Sequence, residues 1–136
     1  MSNYFVTGAA GFIASKVCEF LLRDGHSVIG IDNFDPVYDL RLKDWRLDRL
    51  LDFPNFSFHK KDICDLQTLK DIFASSSKVD GIINLAAKAG VRDSVLDPWA
   101  YYSTNLTGTL NLLEICKQHA IPKFILASTS SIYGDD

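Results

Sequence analysis

The segment Thr7-Gly8-Ala9-Ala10-Gly11-Phe12-Ile13-Ala14 follows an apolar run, Tyr4–Thr7, and opens a helical pattern. A glycine loop between a strand and a helix can hold a phosphate. Gly8 can take backbone angles closed to other residues, and Gly11 carries no side chain to keep a pyrophosphate from the helix N-terminus. The free N–H groups and dipole there favour a dianionic bridge. Ala14 stands where a third glycine is usual, and a methyl still allows close helix–strand packing. Alone, the loop is equally a tight turn that binds nothing. Asp32, 21 positions after Gly11 and at the end of the second apolar run, shifts the balance. A carboxylate there can accept the ribose hydroxyls of an adenosine and repel a 2′-phosphate, favouring NAD over NADP.

The other polar positions are less specific. Asp62-Ile63 ends the third run: the aspartate can meet an adenine edge and the isoleucine pack on its face, while Asp62 as N-cap of the next helix is equally open. In Leu85-Ala86-Ala87 the small residues allow backbone to approach a cofactor, or simply pack under a helix. Asn105, on an inward helical face with Gly108 and Thr109, needs a hydrogen-bond partner, at the site or in a neighbouring loop. Thr129, between Ser128 and Ser130, sits just past the fifth run, where a hydroxyl can serve a substrate or satisfy its own turn.

The elements that position these residues alternate. Strands are predicted at Tyr4–Thr7, Val28–Ile31, Phe56–His59, Gly81–Leu85 and Lys123–Ala127. Helices are predicted after the glycine loop, with Ile13, Val17, Phe20 and Leu21 as its apolar face, and at Leu40–Leu51, Leu66–Phe73 and, as one long helix, about Trp99–His119. Such alternation implies an α/β fold, a doubly wound parallel sheet covered on both faces, with ligands beyond the carboxyl ends of the strands. Residues 1–136 are expected to form one dinucleotide-binding domain.

The chain has 136 residues, 47% hydrophobic and 23% charged, which suits a packed core. A net charge of -3 argues against a nucleic-acid partner. Cys18, Cys64 and Cys116 stand apart, as do His26, His59 and His119, so no metal cluster is expected. Scattered thiols suit a reducing compartment. With no leader and no membrane span read in the sequence, a soluble cytoplasmic protein is expected.

Together, Thr7-Gly8-x-x-Gly11-Phe12-Ile13, Asp32-Asn33-Phe34, Leu85-Ala86-Ala87, Asn105-x-x-Gly108-Thr109 and Ser128-Thr129-Ser130-Ser131-Ile132-Tyr133-Gly134 resemble the NAD-dependent epimerase/dehydratase family of extended short-chain dehydrogenases. Asp32-Asn33-Phe34-Asp35-x-x-Tyr38-Asp39 with Ala89-Gly90-Val91-Arg92-x-Ser94 looks most like its uronate 4-epimerases. The chain departs from that pattern at Asn84, often histidine in the family, and at Lys88, often glutamine in the uronate enzymes.

The resemblance implies C4 epimerisation of a nucleotide sugar through a 4-keto intermediate, with NAD as cofactor. It implies cofactor contacts from Gly8, Ala10, Gly11, Phe12, Ile13, Asp32, Asn33, Asp62, Ile63, Leu85, Ala86, Ala87, Asn105 and Ser128, and substrate contacts from Lys88, Arg92 and Ser130. Thr129 matches the hydroxyl residue that bonds the sugar's C4 hydroxyl. The family's base is the tyrosine of a Tyr-x-x-x-Lys pair. Here Tyr4, Tyr38, Tyr101 and Tyr102 are followed at that spacing by Gly8, Leu42, Asn105 and Leu106, and Tyr133 would need residue 137. The pair, a sixth strand and a substrate domain are therefore expected in a longer parent, a homodimer if Trp99–His119 serves as half of its interface. Two other readings stay open: a nucleotide-sugar 4,6-dehydratase, disfavoured because Ser130-Ser131 replace its usual Asp-Glu pair, and a dinucleotide-binding module without turnover.

Overall fold

A computed structural model describes residues 1–134. Five strands, β1 (Asn3–Thr7), β2 (Ser27–Asp32), β3 (Phe56–Lys60), β4 (Gly81–Asn84) and β5 (Phe124–Leu126), form one sheet in the order β3-β2-β1-β4-β5. All neighbouring pairs are parallel. The order reverses between β1 and β4, which makes their carboxyl ends a topological switch point.

Helices α1 (Phe12–Arg23) and α2 (Leu40–Leu51) cover one face; α3 (Leu66–Ser75) and α6 (Gly108–Gln118) cover the other. On the first face Val6, Val28 and Ile83 pack with Ala14, Cys18, Leu22 and Leu50. On the second, Phe5, Ile29, Ile31 and Ile82 pack with Leu69, Ile72, Phe73, Leu112 and Ile115. Alternate strand residues thus serve opposite faces, as the two-residue period of a strand requires. Burial pushes the Cys18 thiol up to about 12, so it acts as a small hydrophobe.

The structure corrects three expectations about the helices. The buried face of α1 is Ala14, Cys18 and Leu22, while Ile13 and Phe20 are exposed. Small residues at 14 and 18 let the helix sit close to the sheet, which places the bulkier pair outside. The expected helix from Trp99 is not one regular cylinder. It comprises α5 (Pro98–Tyr102), a π-helical turn Ser103–Thr107, and α6. Thr109 Oγ1 donates to the Asn105 carbonyl at 2.7 Å, and such back-bonding in a run of poor helix formers disturbs the regular ladder. A short helix, α4 (Val91–Leu96), was not anticipated. The last strand also stops at Leu126, leaving Ile125 and Leu126 half exposed at the sheet edge.

Among the described residues, no helix is long and apolar enough to cross a membrane.

Candidate functional site

The register ends β1, β2 and β4 together. Thr7 pairs with Ile31 on one side and with Asn84 on the other. The glycine loop, Asp32, the segment Leu85–Lys88 and Thr129 therefore follow one another along a single edge of the sheet. Four adjacent strands span roughly 14 Å at the usual strand spacing.

Gly8 has φ +68°, and a Cβ there would lie 3.1 Å from the Ala86 Cα. The loop and the backbone after β4 are thus in contact, as only a glycine allows. A Cβ at Gly11 would meet the Gly8 carbonyl oxygen at 2.9 Å. Gly11 N donates to that oxygen, and no side chain caps α1. The first amides of α1 therefore face the open edge without intrahelical partners. Ala10 is fully buried, whereas the side chains of Phe12 and Ile13 lie in an outer groove between α1 and α2. What those two residues present at the loop is backbone.

Asp32 is 6% exposed and held by three donors. Its Oδ2 accepts from Ala10 N at 3.1 Å. Its Oδ1 accepts from Phe34 N at 2.8 Å and from Lys43 Nζ at 3.0 Å. The acid at the end of β2 is thereby fixed to the glycine loop itself. Arg46 adds a second tie, donating to the Ala10 carbonyl at 3.2 Å and to the Tyr38 hydroxyl at 2.8 Å.

Asp62 accepts from Cys64 N at 2.8 Å and from Asn33 Nδ2 at 3.2 Å, joining the loops after β2 and β3. Partial burial raises its pKa, but these hydrogen bonds outweigh that and hold it below the usual carboxylate range. The N-cap of α3 is Asp65, which accepts from Thr68 N at 3.1 Å; Asp62 is not the cap. Ile63 is 4% exposed and packs where a Cβ on Gly108 would lie 2.6 Å from its Cδ1, so its side chain belongs to the core.

Beyond β4, a network of polar side chains organises the edge. Buried Thr7 donates its hydroxyl to Asn84 Oδ1 at 2.6 Å. Thr7 Oγ1 in turn accepts from Leu85 N at 3.0 Å and Ala86 N at 2.9 Å. Asn84 Nδ2 donates to Thr109 Oγ1 at 3.1 Å. Asn105 completes the chain: its Oδ1 accepts from Lys88 N at 2.9 Å, and its Nδ2 donates to the Lys88 carbonyl at 3.1 Å. Asn105 thus clamps the neighbouring loop from the π-helical turn. Tyr101 holds the same loop through the Ala89 carbonyl at 2.8 Å. The Lys88 ammonium pairs with Asp35 at 2.6 Å, linking the loops after β2 and β4, and that hydrogen bond raises its pKa. Ala87 and Arg92 are exposed.

Thr7→Val should leave two amides and the Asn84 oxygen without their partner. At about 1–3 kcal/mol per orphaned group, a loss of roughly 3 kcal/mol or more is expected in urea unfolding, with Thr7→Ser close to the parent. A loss under about 1 kcal/mol would mean that the network does not hold the edge together.

Ser128, Thr129 and Ser130 are exposed just past β5. Thr129 Oγ1 accepts from Ser131 N at 3.2 Å and caps the 3-10 turn Ser130–Tyr133, whose Tyr133 is 79% exposed. The hydroxyl does serve its own turn, yet it remains open to a ligand at the carboxyl edge.

Comparison with known proteins agrees with this geometry. A family model described as GDP-mannose 4,6 dehydratase matches residues 5–136. The UDP-glucuronate 4-epimerase of Thermodesulfobacterium geofontis is 52% identical over 134 residues, covering 98% of this chain and 41% of that protein. The UDP-glucose 4-epimerase of Caenorhabditis elegans is 40% identical, covering 97% and 39%. Among solved structures, the UDP-glucuronic acid 4-epimerase of Bacillus cereus, in complex with UDP-glucuronic acid and NAD, superposes with a TM-score of 0.85 at 37% identity, covering 98% of this chain and 42% of that one. The chain therefore spans about two-fifths of the length of such relatives. Matched along nearly its whole length, it belongs to the GDP-mannose 4,6-dehydratase family, within the NAD-dependent epimerases and dehydratases that its motifs resemble.

Proposed function

We propose that this chain is the cofactor-holding part of an NAD-dependent nucleotide-sugar 4-epimerase acting on a UDP-uronate. The observation that carries the reading is the union of glycine loop and acid. Asp32, buried at the end of β2, accepts from Ala10 N inside the loop that opens α1. A pyrophosphate on the open amides of α1 and an adenosine ribose at Asp32 fit that single rigid corner.

In this reading Asn33 and Asp62 border the adenosine, and the backbone of Leu85, Ala86 and Ala87 lines the opposite half. Asn105 positions that half by gripping Lys88. NAD supplies the hydride acceptor and donor at the sugar's C4. Thr129 bonds the C4 hydroxyl, with Ser128 beside the cofactor, and Lys88, Arg92 and Ser130 bind the nucleotide sugar. In a protein of the relatives' length, the tyrosine base and its lysine lie after residue 136. Turning the 4-keto sugar over before hydride return then inverts the centre. Exposed Leu106 of the π-helical turn, with Leu110 and Leu113 of α6, supports a parent dimer through this helical segment. A cytoplasmic location suits the free thiols.

The test is to incubate the whole protein and the 136-residue chain with NAD and UDP-glucuronate and to separate the products. The whole protein should form UDP-galacturonate, and the chain alone, which contains no Tyr-x-x-x-Lys pair, should form none. A whole protein inert on both UDP-glucuronate and UDP-glucose would sink the reading. Sustained turnover by the short chain would assign the base to a tyrosine within it, with Tyr133 the first suspect.

A further inference from the structure

Lys43 is a lysine on the wrong face of its helix. It precedes Leu47 and Leu50 by four and seven positions, the spacing of one helical face, and it is only 7% exposed. Its ammonium lies 3.0 Å from Asp32 Oδ1 and over the rings of Phe34 and Tyr38, at 5.8 and 5.7 Å. Phe34 is itself held at φ 55°, a left-handed angle unusual for a bulky residue. In that conformation its N–H meets the same Asp32 oxygen. Local strain is thus maintained around one buried ion pair, a pattern that is common where a site must be preorganised.

The pairing changes what Asp32 presents. A lone aspartate offers a full negative charge and free lone pairs on both oxygens. Here Oδ1 already accepts from Phe34 N and Lys43, and Oδ2 accepts from Ala10 N. One lone pair remains for a ribose hydroxyl, and the local charge of acid and ammonium sums to zero. The simple rule that an acid at this position excludes a 2′-phosphate by repulsion therefore does not hold with full force.

We propose that Lys43 is a specificity-determining residue of the adenosine-ribose subsite: by neutralising and aiming Asp32, it narrows the preference for a dinucleotide lacking a 2′-phosphate over one that carries it. The proposal rests on the dinucleotide reading above. It differs from a purely structural role, which would affect both cofactors alike.

The experiment is calorimetric titration of the whole protein with NAD and with NADP, compared as the ratio of their dissociation constants. Lys43→Met should raise the discrimination against NADP about tenfold or more, because a phosphate dianion then meets an uncompensated carboxylate a few ångströms away. Lys43→Arg, which keeps the charge, should stay near the parent ratio. If the single methionine variant does not fold, Asp32→Asn and the double variant Asp32→Asn/Lys43→Met decide. Asp32→Asn should lower the discrimination, and removal of Lys43 from that background should raise it again. An unchanged ratio in Lys43→Met, or a double variant equal to Asp32→Asn, overturns the proposal. Absence of binding of either dinucleotide to the parent would instead overturn the cofactor reading, and with it this one.

Discussion

Thr129→Val, made in the whole protein, should lower turnover about a hundredfold or more while NAD content and folding stay nearly unchanged. The expectation depends on where the hydroxyl sits. Thr129 is exposed at the carboxyl edge, beyond the strand next to β4. A hydroxyl that bonds the oxygen of the reacting carbon stabilises charge as it develops, and removal of such a bond typically costs a factor of about 10²–10³ in rate. The same hydroxyl accepts from Ser131 N in its own turn. Loss of that cap is worth about 1 kcal/mol of stability, too little to empty the site. The two roles therefore separate in one set of measurements. A variant with wild-type kcat and a slightly lowered Tm would make Thr129 a turn residue only. A variant with a large fall in kcat, intact NAD content and nearly unchanged Tm would give it the chemistry.

The sheet was legible because its strands are short apolar runs bounded by turn residues, and tertiary packing did not override them. The glycine loop and Asp32 were legible for a different reason: backbone chemistry restricts which residues can stand there. What escaped was mostly polar and buried. Thr7 closes an apolar strand and reads as a strand former, so nothing in its type shows that it binds two amides just past the strand next door. Lys43 did carry a signal, a charge on the Leu47–Leu50 face of α2, but a lysine in an amphipathic helix is ordinarily solvated. The π-helical turn at Ser103–Thr107 was hidden because its cause, the bond of Thr109 to the Asn105 carbonyl, is a side-chain competition that periodicity does not register. Ile63 was read toward the cofactor and lies in the core, because the space opened by Gly108 on α6 is invisible until the two faces are assembled.

Asp32→Ala should weaken NAD binding about ten- to a hundredfold and spare NADP, which is the loss expected for a hydrogen bond to a charged group. The ion pair complicates this substitution in a way the motif alone does not show. Alanine removes the partner of Lys43, an ammonium whose side chain is 9% exposed. A buried charge left alone typically destabilises by about 3–5 kcal/mol, so the alanine variant should also lose stability, and weak binding could then be mistaken for poor folding. Asp32→Asn separates the two effects better, because the negative charge goes while an amide oxygen at the Oδ1 position still accepts from Phe34 N and Lys43; only the bond from Ala10 N is lost, and the amide N–H can donate to the ribose. Lys43 then faces the ribose as a net cation, and NADP should gain on NAD. Titration of both dinucleotides at a temperature well below each variant's Tm gives the comparison. Equal losses for NAD and NADP in the asparagine variant would remove Asp32 from the ribose subsite and leave its carboxylate as a brace between the glycine loop and α2.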